Sequence, residues 1–125
     1  MSFDRLVVVD WSARSKPSPK APTKDAIYIC HSKNFETQNT EYFRTRRAAL
    51  KFIEKLIEKS LVLKERIFIG FDFAFGYPAG FSKSVTSSSN PFSIWEFLNQ
   101  AVTDGEDNSN NRFEVAQGLN SKFDG

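Results

Sequence analysis

At 125 residues, with 40% apolar and 26% charged positions, the chain has room for one domain with a real core and the make-up of an ordinary globular protein. Seventeen basic residues against fifteen acidic ones leave a net charge of +2, too mild to mark a nucleic-acid binder by bulk electrostatics. Cys30 and His31 are each the only one of their kind, which excludes a disulfide framework, argues against a Cys/His zinc site within the chain, and leaves no Ser-His-Asp arrangement that does not rest on His31.

The run Leu6 to Val9 reads as a fully buried first strand with a polar exit at Asp10, Trp11 and Ser12. Four aliphatics are too few for a secretory core or a membrane span, so a cytoplasmic protein is the default expectation. From Arg14 to Lys24, RSKPSPKAPTK carries three prolines and four basic residues without apolar periodicity, which predicts a flexible basic loop. Ala26 to Cys30 and Thr37 to Phe43 read as an antiparallel pair joined through Lys33, Asn34 and Phe35, with His31 at a strand end.

An amphipathic helix follows. Ala49, Phe52, Ile53, Leu56 and Ile57 share one face at helical spacing, charged residues take the other, and Thr45 stands at the N-cap. Arg66 to Gly76 then returns to strand, and period 2 puts Asp72 on a face flanked by the small residues Gly70 and Ala74. Gly80 to Ser89 reads as a serine-rich loop. Asn90 and Pro91 mark the start of a helix through Ile94, Trp95, Leu98 and Val102, and an acidic loop leads to a last helix from Arg112 to about Lys122.

The order strand, strand, strand, helix, strand, helix, helix is that of an α/β fold. A hairpin of strands two and three beside strand one, with a helical crossover returning strand four to the other side, gives a mixed sheet ordered 3-2-1-4 flanked by helices. In such a sheet ligands bind at the carboxyl ends of the strands where the connections diverge, and there Asp10 and Asp72 meet. Neighbouring strands lie about 4.8 Å apart, so the two carboxylates are close enough to share a cation, and Mg²⁺ or Mn²⁺ suits hard oxygen ligands with few other protein donors. The plainer alternative for Asp10 is a turn cap near Ser12. For Asp72 the alternative is weaker, because aspartate is depleted inside strands.

VVVDWSA, followed by a hairpin, an amphipathic helix and then IGFDFAFGYPAG, resembles the ribonuclease H-like superfamily. More narrowly it is similar to an uncharacterised bacterial family of RNase H-like nucleases with a later D-x-P-x-G-x-P-like motif, here Asp72 to Pro78 with Ala74 where a proline often stands. The segment Asn110 to Asn120 is also similar to a stretch in such relatives. The resemblance implies a divalent-metal-dependent phosphodiester hydrolase in which Asp10 and Asp72 hold the metal. It also implies a third acid, for which Glu114 is the first candidate, ahead of Glu96, Asp104 and Asp107. The plain reading of Glu114 is a solvated first-turn acid favoured by the helix dipole.

Ser12 and the basic residues Arg14, Lys16, Lys20 and Lys24 just after Asp10, together with Lys83 in the serine-rich segment and Arg112, are the expected contacts for nucleic acid or another phosphate-bearing substrate; for the basic loop, a solubilising surface segment is the equal alternative. The chain is expected to be a single RNase H-like domain shortened at its C-terminus, with the fifth strand missing or beyond Asp124-Gly125. Two functional alternatives stand beside hydrolysis: an inactive RNase H-like binding module, and a role in cobalamin or molybdopterin metabolism, a label some such relatives carry. Glycine-rich phosphate loops, G-x-S-x-G and EF-hand spacing are all absent from the sequence.

Overall fold

The near-continuous aliphatic run after Asp4 forms β1 (Arg5–Asp10) in the computed structural model, which describes residues 2–122. β2 (Ile27–Lys33) and β3 (Gln38–Phe43) follow, then α1 (Arg46–Val62), β4 (Ile67–Phe71), α2 (Phe81–Thr86), α3 (Ser93–Ala101) and α4 (Arg112–Asn120). The expected Asp124-Gly125 turn lies outside the described residues. Those residues divide into two compact units, one holding 2–73 with Glu106–Asn108, the other Ala74–Gly105 with 109–122. None of the described helices is long and apolar enough to cross a membrane.

In the first unit the four strands make one mixed sheet in the order β3-β2-β1-β4. β1 runs antiparallel to β2 and parallel to β4, as a hairpin followed by a helical crossover requires. The hairpin turns through Asn34 and Phe35, both at positive φ (51° and 61°), with the Glu36 N–H donating to the Lys33 carbonyl at 3.0 Å. Two left-handed residues in succession match the twist of the strands they join, which is why the turn forms without the usual glycine.

α1 begins where Thr45 accepts a hydrogen bond from the Ala48 N–H at 3.3 Å, and its Ala49, Ile53 and Leu56 stripe closes on Val7, Val9, Ile27 and Ile29 of the sheet. That contact is the core of the unit. Phe52 and Ile57 are packed partly against it.

The expectation that the first strand is buried on both faces is corrected. Val7 and Val9 are fully buried under α1, but Val8 is 59% and Phe68 48% exposed on the opposite face. β4 lies at the edge of the sheet, as the expected order 3-2-1-4 places it. Its length is a second correction: it ends at Phe71, not Gly76, because its ladder partner among the described residues, β1, ends at Asp10, one step past the Val9–Phe71 pair. β2, by contrast, runs on to Lys33, so His31 lies inside a strand, paired with Val7 and Asn39.

At the start of β1, Arg5 donates to Glu65 at 2.8 Å and to the Ser60 hydroxyl at 3.1 Å, while Lys33 reaches Glu65 at 2.7 Å. The Arg5 and Glu65 side chains are only 6% and 8% exposed, so this network ties two strands to the end of α1 from inside.

The second unit is helical. The serine-rich segment expected as a loop forms α2, entered through Gly80 at φ 86°. The Asn90 side chain accepts from the Phe92 N–H at 3.0 Å, so Asn-Pro makes a turn and α3 starts just after it. α2 and α3 pack together.

Candidate functional site

The carboxyl end of the sheet is built by register. Val9 stands opposite Phe71, and the ladder carries one step further through the Asp72 N–H, which donates to the Val9 carbonyl at 3.3 Å. Asp10 and Asp72 are therefore the next pair along two parallel strands, with side chains on the same face of the sheet. That face carries the exposed Val8 two residues before Asp10, and both aspartates are exposed.

Asp72 is no longer inside a strand, which corrects the mid-strand reading. Its Oδ1 accepts the Trp11 N–H at 2.9 Å, so the carboxylate caps the chain where it leaves β1. Trp11 in turn sets its ring edgewise against Phe71 and Phe73, at 6.1 and 6.4 Å between centroids.

The Asp10 carboxyl is raised above its ordinary value. Although the residue is exposed, the first cause is loss of part of the surrounding water; the hydrogen bond with Asp72 and that neighbour's charge follow. Two neighbouring carboxyl groups are a donor set of hard oxygens. In chemical type they fit Mg²⁺ or Mn²⁺, which take carboxylates and keep several waters. No group of three or more His, Cys, Asp and Glu side chains suited to a metal occurs among the described residues.

The segment after Asp10 is not the flexible loop its composition predicts. The Ser12 hydroxyl donates to the Asp25 carbonyl at 2.6 Å, and Arg46 donates to the carbonyls of Ser12 and Arg14 at 3.1 and 2.7 Å. Asn108 donates to the carbonyls of Lys16 and Arg44, and the Arg44 side chain donates to the Ser18 carbonyl at 2.6 Å. Tyr42 reaches the Pro19 carbonyl at 2.7 Å. Proline and lysine content signals a lack of regular structure, but carbonyls satisfied by buried donors hold an irregular path as firmly as a ladder does.

Of the expected substrate contacts, Ser12, Arg14 and Lys16 lie on this anchored segment. The Arg14 guanidinium stands 3.9 Å from the Asp25 carboxylate, and the Lys16 side chain is exposed. Glu114 and Arg112 belong to the first turn of α4 in the second unit; Glu114 is exposed and the Arg112 guanidinium lies 4.7 Å from the centre of the Phe113 ring. Glu96 is exposed in the first turn of α3, and Asp104 forms an isolated bridge with Asn110.

The sequence reading missed Arg46 and Asn108, both buried. A signal for Arg46 exists: cations are disfavoured in the first turn of a helix, so a basic residue there is held by something stronger. Asn108 accepts the Arg46 N–H at 2.8 Å and sits at φ 68°, a conformation that asparagine tolerates better than most residues. Comparison of the chain with protein-family models, with curated proteins and with solved structures gives no match.

Proposed function

We propose that the chain is a ribonuclease H-like domain whose Asp10 and Asp72 bind Mg²⁺ or Mn²⁺ and that it acts as a divalent-metal-dependent phosphodiester hydrolase. The observation that carries this reading is the placing of the two carboxyl groups side by side at the end of parallel β1 and β4, where lost hydration and then the neighbouring Asp72 raise the Asp10 carboxyl. Asp10 and Asp72 would hold the metal, which when bound supplies an acidified water and charge stabilisation at the leaving oxygen. The remaining work falls to the protein. The Trp11 N–H fixes Asp72 through one oxygen, and the Arg46 contacts hold the backbone of Ser12 and Arg14 beside Asp10, where Arg14 and Lys16 would meet a phosphate.

Titration with Mn²⁺ or Mg²⁺, read by thermal shift, tests the site. Saturable stabilisation is expected, abolished in Asp10→Asn with Asp72→Asn; no stabilisation, or stabilisation that survives the double substitution, overturns it. Cleavage is then assayed on single-stranded and structured DNA and RNA in Mn²⁺.

A second reading, an RNase H-like module that binds without cutting, is favoured by the capping bond Asp72 already makes to Trp11. Metal-dependent stabilisation with no cleavage of any of these substrates selects it.

A further inference from the structure

The second unit contains a cavity of about 540 Å³, of the size that takes a small molecule. Its walls are aromatic: Phe75, Tyr77, Phe92 and Trp95 all line it. Two of these rings remain largely uncovered, Phe75 at 64% and Phe92 at 70% exposure, and Tyr77 is 45% exposed. Tyr77 is nonetheless held in place, stacked on Phe81 at 4.8 Å and 12° and tilted against Trp95 at 5.6 Å. Gly76 and Gly80 complete the wall, and a Cβ on either would meet nothing within 4 Å.

Polar chemistry in this cavity is sparse and of one sign. Lys83 is its only charged lining residue and makes no ion pair among the described residues. The Ser82 hydroxyl gives its proton to the Asn90 carbonyl at 2.7 Å, which leaves its oxygen free to accept from a ligand. Exposed ring faces beside a single cation match a ligand that is itself a planar ring carrying an anion. A base stacks on an aromatic face whatever its identity, and an ammonium serves a phosphate as a point charge. An apolar side chain would use the rings but leave the cation without a partner.

We infer that this cavity is a nucleotide site, taking a base against the Tyr77 and Trp95 rings and a phosphate at Lys83. It lies within the second unit and does not depend on the carboxylate pair of the first.

The test uses the whole chain with Trp11→Phe, which leaves Trp95 as the sole tryptophan reporter, in EDTA so that no divalent cation takes part. AMP is expected to change Trp95 fluorescence saturably. Adenosine should bind at least tenfold more weakly, and Lys83→Ala should bring AMP down to the adenosine level while Lys83→Arg restores most of the difference. Absence of a saturable response to AMP, an AMP affinity unchanged by Lys83→Ala, or an equal response to a neutral apolar dipeptide overturns the assignment. Because EDTA removes the metal, failure here leaves the metal titration of Asp10 and Asp72 standing, and failure there leaves this site standing.

Discussion

Asp10 and Glu65 are two carboxyl residues at opposite ends of one small sheet, and their surroundings push them in opposite directions. The Glu65 carboxyl is held below its ordinary range, first by the hydrogen bond from Lys33 and then by that from Arg5, whereas Asp10 is raised by lost hydration and by Asp72. A depressed carboxyl adds stability above its unfolded-state pKa and loses it as pH falls through its own lower value. A raised one costs nothing while it is protonated in both states, and its penalty grows as pH climbs from the ordinary aspartate range through the raised value. Asp10→Asn is therefore expected to raise the melting temperature at neutral pH in EDTA, with the gain vanishing at acid pH; thermal melts across the acid range check this. In saturating Mn²⁺ the proposed metal site predicts the reverse sign, because the substitution would then remove a ligand. Glu65→Gln is expected to lower the melting temperature at neutral pH, with the loss shrinking as the native glutamate itself is protonated.

At the scale of elements, α1 shows which of its contacts matter. Ile53 is 4% exposed between the helix and the sheet, and Ile53→Ala should cost about 2–5 kcal/mol in denaturant unfolding, since the cavity sits between two elements that cannot both relax into it. Thr45→Ala should cost at the lower end of about 0.5–2 kcal/mol, because the cap bond to Ala48 is long at 3.3 Å. β4 makes a different point. A strand is as long as its partner allows, and Phe73 and Phe75, apolar enough to read as strand, lie beyond the last pair of the ladder, Val9 with Phe71. The pattern of alternating residues records which face a side chain would take, not whether a ladder exists to take it.

At the scale of the whole molecule, the path from Asp10 to β2 is set by residues far away in sequence. Asn108 is 2% exposed and accepts or donates to Arg46, Lys16 and Arg44. Asn108→Ala should cost about 1–3 kcal/mol by stranding those groups, and should speed amide hydrogen exchange between Arg14 and Lys20 with little change in the β1 and β2 core. The sequence by itself determined the elements whose signal is local: the aliphatic strand, the amphipathic helix with its threonine cap, the hairpin, and from their order the 3-2-1-4 sheet. It also brought Asp10 and Asp72 to neighbouring strand ends, because parallel pairing after a helical crossover leaves little choice of register when one face is buried. Only the tertiary structure decided where β4 stops, that Val8 and Phe68 are exposed, that Asp72 caps Trp11, and that a proline-rich basic segment is anchored. Each of these depends on a hydrogen-bond partner or a covering element supplied from elsewhere in the chain, and no local pattern of residue types encodes who that partner is.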